Sequence, residues 1–454
     1  MTEEAQGRRR RRSKLWIPAL ALTVLVAIIV LPPLISINRY RSRVAGAMSN
    51  SLRRQVHLSG VELRLLPRPG FIINDLTVQE DPSFGAEPVL HANQVKAAIR
   101  LLSLWRGRLE ISRISVDEAS LNLVRTDDGR WNMDSLFRNA AEAEPDGSKQ
   151  RREPLPYLEA TNSRINIKKG IEKLPYSLVN GDLSFWEENP GDWRVRLKGQ
   201  PARTDVSLEL GDTGIVQLEA SMRRSPDLKL MPVHVDMEWR QAQLGQLSRL
   251  LVGSDPGWRG DLAAEMKLDG TADSAQVTTR LRATGVHRAE FAPAEPLDFD
   301  ANCGFVYRHS ARAIEKLACN SPLGNGRLLV EGSLPSDGQP KLSLQLDKIP
   351  AQAILDALRT VRSEVGAGLE ATGSLSGRLD YDATVPIPTV APAPRTRSSR
   401  HARTPATRAI NFPGPLTGSV GIDSLRLSGG SLTQPIVVQK AILQPASTDD
   451  GRSL

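Results

Sequence analysis

Apolar and polar side chains alternate one by one in many short runs after residue 58, and this pattern constrains the fold more than any other feature. A period of two places every second side chain on the same face of a β-strand. Turn-forming sequences, such as Pro-Arg-Pro-Gly at 67–70, separate the runs. The pattern predicts a mainly β protein with an extended, curved antiparallel β-sheet that has one apolar face. The runs include residues 63–65, 76–78, 95–101, 109–123, 165–167, 183–185, 195–197, 206–210, 216–218, 228–230 and 233–237.

Three short stretches of the body carry a helical repeat instead of alternation. They are residues 39–56, 241–251 and 350–361, where apolar side chains recur three or four positions apart. These few short helices cannot cover a large apolar sheet face, and an uncovered face of that size is unusual in a soluble monomer. The sheet therefore either closes on itself or forms a trough-like groove that another molecule fills.

An uncharged segment of 23 residues, 15–37, precedes the body. At a rise of about 1.5 Å per residue, a helix of this length crosses the roughly 30 Å hydrocarbon core of a membrane. A cleaved secretory signal is the alternative, but its apolar region is normally about 7–15 residues long. We therefore expect an uncleaved transmembrane helix. Six basic residues lie in the preceding tail, 1–14, and predict a cytoplasmic N-terminus with the body on the other side.

The net charge of +8 is concentrated in two segments. Residues 1–14 carry +4, and residues 385–415 carry +5. The rest of the chain is close to neutral, whereas a nucleic-acid site needs clustered positive charge on a folded face. The charge distribution therefore argues against nucleic acid as a partner.

The chain contains two cysteines, Cys303 and Cys319. They lie sixteen positions apart across a predicted strand–loop–strand. In an oxidising compartment this spacing is compatible with a disulfide. Two free buried thiols fit the sequence about as well, and two cysteines alone do not make a zinc site.

Catalytic and cofactor motifs are missing from the sequence. The histidines are dispersed, there is no phosphate-binding loop or dinucleotide fingerprint, and Leu375 occupies the nucleophile position of the nearest Gly-x-Ser-x-Gly-like pattern. Residues 127–134 resemble a calcium loop, but the glycine is misplaced, so a tight turn is the better interpretation. We expect no enzyme activity, cofactor or metal. A carboxylate pair without a local motif, as in glycoside hydrolases, keeps an envelope hydrolase as an alternative.

Composition and periodicity together predict the organisation of the chain. Its segments are a basic cytoplasmic tail (1–14), a transmembrane helix (15–37), an N-terminal β-rich region (38–140), a linker (141–156), a β-rich body (157–384), a disordered Pro/Arg-rich linker (385–415) and the start of a further β section (416–454).

Several motifs resemble the N-terminal region of the AsmA family of envelope proteins. After the predicted membrane helix come Leu-Arg-Leu-Leu-Pro-Arg-Pro-Gly-Phe at 63–71, Asp-Leu-Thr-Val at 75–78 and Asp-Pro-Ser-Phe-Gly at 81–85. A Leu-Leu-Ser-Leu-Trp-Arg-Gly-Arg-Leu-Glu-Ile run at 101–111 and the Gly-x-Trp-Asn turn at 129–132 complete the series.

The resemblance implies an inner-membrane anchor and a periplasmic body that acts in outer-membrane biogenesis. The wider superfamily is similar to chorein-type bridge-like lipid-transfer proteins, whose curved sheet holds lipid in an apolar channel. The arginine-rich linker and the short C-terminal β section depart from the family pattern.

Our hypothesis is that the alternating apolar residues line a groove that holds or transfers membrane phospholipid. Ordinary sheet core is the alternative for each residue. A non-enzymatic scaffold or assembly factor that affects outer-membrane protein insertion, with envelope proteins as partners, is the alternative function. The candidate wall residues are Phe71, Leu76, Ile111, Leu121, Ile165 and Phe185.

Overall fold

The structure is a computed structural model of the chain. It describes Leu20, Thr23 and residues 41–64, 69–100, 111–134, 156–170, 172–291, 297–336, 338–362, 365–384 and 416–445. Within these residues, no helix combines the length and the apolar character needed to cross a membrane. The predicted membrane helix at 15–37, apart from Leu20 and Thr23, lies outside the described residues. So do the predicted linkers, apart from residue 156.

The chain divides into two compact units. Unit 1 comprises Met1–Leu210 with Val216–Pro226, and unit 2 comprises Gly211–Ile215 with Asp227–Leu454. The division falls inside the predicted body at 157–384. The elements named for unit 1 are α1 (Arg41–Leu52), β1 (Val56–His57), β2 (Gly60–Arg64), β3 (Gly70–Val78), β4 (Leu90–Ile99), β5 (Ile111–Asp117), β6 (Ser120–Arg125), β7 (Tyr157–Lys169), β8 (Glu172–Asn189), β9 (Asp192–Arg203) and β10 (Thr213–Arg223).

The sheet of unit 1 is mixed, whereas the sequence predicted an antiparallel sheet, so the prediction was wrong for part of this unit. Strands β5 and β6 both pair with β7 in the parallel direction, whereas the other pairings of this unit are antiparallel. Parallel neighbours require a long crossover connection, and residues 126–156 separate β6 from β7. Apolar and polar side chains alternate with the same period in parallel and in antiparallel strands. The sequence pattern therefore could not show which strands pair in the parallel direction.

A line of left-handed residues crosses the sheet of unit 1. Asp75, Glu118, Asn162 and Asn180 lie in four different strands or at their ends, and each has φ between 48° and 53°. Such a residue turns the following side chains over, which shifts the alternation by one position. Asparagine and aspartate tolerate this conformation better than most residues. A similar irregularity lies near Arg113, because Ala98 pairs with Arg113 but Ile99 pairs with Ile111.

Helix α1 covers one end of this sheet. Val44, Ala45 and Met48 pack against a buried cluster formed by residues of β1–β4 and their neighbours. The helix is shorter than predicted because Arg53 adopts φ 52°, and the Arg54 N–H then donates to the Ser49 carbonyl at 3.2 Å. The buried cluster consists of Val56, Leu58, Val61, Ile73, Leu76, Val78, Ala92, Val95 and Ala119.

Unit 2 contains an antiparallel series of strands in which each strand pairs with the next. Two short helices follow β11 and β17. Its named elements are β11 (Pro232–Gln243), α2 (Leu244–Val252), β12 (Trp258–Thr271), β13 (Ser274–Arg288), β14 (Leu297–Arg308), β15 (Ala313–Leu323), β16 (Gly326–Leu334), β17 (Lys341–Pro350), α3 (Ala351–Val361), β18 (Leu369–Asp382), β19 (Leu416–Gly429) and β20 (Ile436–Leu443).

The helices α2 and α3 begin within three residues of the predicted positions, and the mainly β character of the chain is confirmed. Two runs predicted as strands are not strands. Residues 206–209 are outside any strand, and Leu210–Asp212 and Leu228–Leu230 are short 3₁₀ helices. Both runs contain only two or three alternating residues, which is too few to distinguish a strand from a turn with apolar contacts.

Candidate functional site

Rows of directly paired apolar side chains cross the sheet of unit 1. Residues that pair directly across neighbouring strands place their side chains on the same face. The first row is Leu63, Phe71, Ala97, Ile114, Leu158, Phe185, Val195 and Ala220. The second is Val61, Ile73, Val95, Val116, Ala160, Leu183, Leu197 and Leu218. The third row lies on the other side of the line of left-handed residues described above. It consists of Val78, Leu90, Leu121, Ile165, Leu178 and Pro201.

The burial of this apolar face changes from one end to the other. Near α1 it is a packed core, where Val61, Ile73 and Val95 are buried. Farther along the rows, side chains on β5–β10 are only half-buried, and Leu158 is 36% exposed. The described residues of unit 1 therefore bury one end of the apolar face and leave the other end accessible.

Burial is inverted on β7, where polar side chains are buried and apolar ones are exposed. Ile167 is 36% exposed, whereas the next residue, Lys168, is 3% exposed. Asn166 is also buried, and its Nδ2 donates to Asn122 Oδ1 at 3.1 Å. Because a sheet normally buries its apolar face, this inversion marks a face that the described part of the chain does not cover.

The segment between β3 and β4 is what buries these polar side chains. Asn122 Nδ2 donates to the Pro88 carbonyl at 2.7 Å, and the Asn122 N–H donates to the Val89 carbonyl at 2.8 Å. Lys168 forms an ion pair with Glu87, whose side chain is largely exposed. This segment therefore lies over the polar face of β6 and β7, on the side opposite to the apolar rows.

A buried polar network holds the start of the same segment in place. Arg54 forms an ion pair with Glu80, and its second terminal nitrogen donates to the Asn132 carbonyl at 3.0 Å. Asn132 is fully buried, and its Nδ2 donates to Glu80 Oε2 at 2.5 Å and to the Asn122 carbonyl at 2.8 Å. Its Oδ1 accepts from the Val124 N–H at 3.1 Å. The asparagine of the Gly-x-Trp-Asn turn thus joins three segments that are distant in sequence.

Charged groups of unit 1 lie mainly on the face opposite to the apolar rows. Arg113 forms an ion pair with Glu159, and this hydrogen bond raises the pKa of the guanidinium above its usual value. Arg196 pairs with Glu219 at 2.8 Å and lies over the ring of Trp186. The two faces therefore offer different chemistry, one ionic and the other hydrocarbon.

An apolar face is also present in unit 2. A continuous row of directly paired residues crosses nine strands, and most of its side chains are half-buried. The row contains Cys303 and Cys319, which form a disulfide with their Cα atoms 4.0 Å apart. Its members are Met237, Met266, Thr279, Cys303, Cys319, Val330, Leu344, Leu379 and Gly418.

The opposite face of unit 2 carries ion pairs between neighbouring strands. Arg280 donates to Asp300 at 2.6 Å, and this bond lowers the pKa of the carboxyl group. His234 lies between Asp269 and Asp236, and its hydrogen bond to Asp269 is the main cause of its raised pKa. These groups pair with one another within the sheet, so they do not converge on a cleft.

The structure places the six candidate wall residues as follows. Phe71 and Phe185 belong to the first apolar row, and Leu121 and Ile165 are paired in the third. All four are half-buried. Leu76 lies in the buried cluster at 4% exposure and is part of the packed core. Ile111 is exposed at the start of β5, where it pairs with Ile99.

Two features of the site were not predicted from the sequence. The inversion on β7 was missed because the alternation there continues without interruption, and only the covering segment decides which face is buried. The Arg54–Glu80–Asn132 network was missed because its members are far apart in sequence. The described residues contain no group of three or more histidine, cysteine or acidic side chains placed to hold a metal ion.

Comparison with known protein families shows what the N-terminal part of the chain is similar to. Residues 8–172 match the family model described as the AsmA family, which confirms the resemblance seen in the sequence motifs. The matched residues include α1 and β1–β7, and therefore the buried network and much of the apolar face of unit 1. No curated protein and no solved structure matches the chain significantly.

Proposed function

We propose that this chain, whose residues 8–172 match the AsmA family, has an envelope-related role and holds or transfers phospholipid on its apolar sheet face. In this proposal, acyl chains lie along the half-buried rows of β5–β10. Residues 15–37 anchor the chain in the inner membrane, and the body lies in the periplasm.

The main support for this proposal is the reversed burial on β7, where apolar side chains are exposed and polar ones are buried. Exposing Ile167 to water costs free energy, and an apolar molecule that covers this face would recover it. An acyl chain is a suitable cover because its burial is driven by about 0.8 kcal/mol per methylene group and needs no directed polar contact. The apolar rows offer such contact over several consecutive strands.

The disulfide supports the proposed location. Disulfides persist in oxidising compartments such as the bacterial periplasm and are rare in the cytosol. Cys303 and Cys319 are joined in the structure, and both lie in unit 2, after the proposed anchor. A periplasmic body agrees with the charge of the N-terminal tail.

The proposal is tested by placing single carboxylates on the two faces of the sheet. Leu158→Glu and Ile167→Glu each put a charge on the exposed apolar face, where solvent access limits the cost to folding. Gln217→Glu is the matched control, because Gln217 is exposed on β10 and pairs with Lys198 on the opposite face. The full-length variants are purified from membranes, and co-purified phospholipid is measured by mass spectrometry per mole of protein.

We expect Leu158→Glu and Ile167→Glu to lose most of the bound phospholipid, while Gln217→Glu keeps it. Equal lipid content in all three folded variants would contradict the proposal. Wild-type protein that is free of lipid but still binds envelope proteins would favour the alternative, a scaffold or assembly factor for outer-membrane proteins.

A further inference from the structure

A small cavity lies mainly on the ionic face of unit 1, although Phe71 and Ala97 of the first apolar row also contribute to its lining. Its volume is about 320 Å³, which is at the lower end of the range for small-molecule sites. Two rows of paired residues from β2–β5 and β7 contribute most of its lining. Those that the argument uses are Arg64, Gly70, Lys96, Arg113, Ser115 and Glu159.

The charges around this cavity are unbalanced. Among the described residues that line it, Arg64, Lys96 and Arg113 are cationic and Glu159 is the one carboxylate; Arg64 has a partner of its own, so the argument depends on Lys96 and Arg113. That carboxylate is already engaged, because it accepts hydrogen bonds from Arg113 and from the Ser115 hydroxyl. Lys96 forms no ion pair or hydrogen bond with the residues that the structure describes. An excess of positive charge in a concave site attracts anions.

The donors around the cavity also suit an oxyanion. The guanidinium of Arg113 lies 4.8 Å from the ring centre of Tyr157, which restricts its orientation. Its Nε–H is buried and has no hydrogen-bond acceptor among the residues that the structure describes, a state that proteins normally avoid. Arginine presents a planar fork to phosphate oxygens, and lysine binds phosphate as a point charge.

Gly70 contributes to the shape of the cavity. A Cβ atom at this position would lie 2.2 Å from the Ala97 carbonyl oxygen, so only glycine fits between β3 and β4 here. Gly70 lies in one cross-strand row with Arg64, Ala98 and Arg113.

We propose that this cavity binds a phosphate-type anion, either a free phosphate or the phosphate of a lipid headgroup. The volume accommodates a phosphate-bearing headgroup but not a complete two-chain lipid. This inference does not depend on the lipid proposal, because Lys96, Arg113 and Glu159 lie on the face opposite to the apolar rows.

Isothermal titration of the full chain, in micelles with an uncharged headgroup, tests the proposal. The probes are inorganic phosphate and glycerol phosphate. We expect saturable binding, and Lys96→Gln should weaken it about tenfold, as expected for the loss of one charge-assisted hydrogen bond. Lys198→Gln is the matched control, because Lys198 is an exposed lysine on β9 outside the cavity.

A second variant checks the charge argument independently of Lys96. Glu159→Gln removes the carboxylate found among the described lining residues, and we expect it to tighten phosphate binding several-fold. Tighter binding of glycerol phosphate than of inorganic phosphate would identify a headgroup, and equal binding would identify free phosphate. Absence of saturable binding for both probes, or an equal effect of Lys96→Gln and Lys198→Gln, would overturn the proposal.

Discussion

Ile167 and Lys168 are neighbours on β7, yet the isoleucine is 36% exposed and the lysine is 3% exposed. The usual preference of a sheet for burying its apolar residues is reversed at this pair. The segment from Glu80 to Val89 covers the lysine side, whereas the described part of unit 1 supplies no equivalent cover for the isoleucine. This relationship links the fold of the N-terminal region to the proposed lipid-binding face.

The burial of Lys168 predicts an unusual response to mutation. Lys168→Met keeps the long aliphatic side chain and removes the cost of burying an ammonium group. Its partner Glu87 remains largely exposed, so no buried charge is left unpaired. We expect the free energy of unfolding to stay within about 1 kcal/mol of wild type or to rise. Lys168→Ala, which also removes the packing of the stem, should lower it, and chemical denaturation compares the two variants.

Asn132 should be among the most sensitive positions in the N-terminal region. Asn132→Ala leaves Glu80 Oε2, the Asn122 carbonyl and the Val124 N–H each short of a buried hydrogen bond. We expect a loss of about 2–4 kcal/mol of unfolding free energy. Asn93→Ala is the control, since Asn93 is exposed on β4, and it should change stability by less than about 0.5 kcal/mol. Similar losses for both variants would show that the network is not a stability determinant.

The disulfide should stabilise unit 2 in oxidising conditions. Cys303 and Cys319 are separated by 16 positions, and a loop of about 15 residues is worth about 3 kcal/mol in the chain-entropy model. We expect a reducing agent to lower the denaturation midpoint of the wild type. The double variant Cys303→Ala/Cys319→Ala should be insensitive to the reducing agent. Detection of two free thiols in the oxidised, denatured wild type would contradict the assignment.

His234 should make stability depend on pH. Hydrogen bonds to Asp269 and then to Asp236 raise its pKa in the folded state above the usual value near 6.5. The stabilisation is therefore complete below that value and is lost as the pH rises through the folded-state pKa. The wild type should exceed His234→Gln in stability at about pH 6, and the difference should shrink by about pH 9. In the Asp269→Asn background, His234→Gln should change stability less. A stability difference between wild type and His234→Gln that does not change with pH would refute the role of His234.

The sequence predicted much of the fold, and the reasons are local. Helices α2 and α3 and most strands follow from the periodicity of their own residues, such as Val233 to Met237 in β11. Short runs were less reliable, because residues 206–210 and 228–230 alternate but do not form strands. The sequence also could not predict strand direction, because the parallel pairing of β6 with β7 leaves the alternation of apolar and polar residues unchanged.

Four of the six candidate wall residues lie half-buried on the apolar rows, because period two places alternate residues on one face of a strand. Leu76 is packed in the core and Ile111 lies at the start of β5, and neither position could be read from alternation. Exposure depends on which residues from elsewhere in the chain lie above a side chain.

The sequence by itself determined that the chain is mainly β, that one face of its sheet is apolar and that its N-terminal region is of the AsmA type. Only the tertiary structure decided which parts of that face are buried. The left-handed residues keep the apolar side chains on one face across strand irregularities, and the covering segment after β3 buries Lys168 instead of Ile167. Periodicity is a property of neighbouring residues, whereas burial is a property of contacts between residues that are distant in sequence.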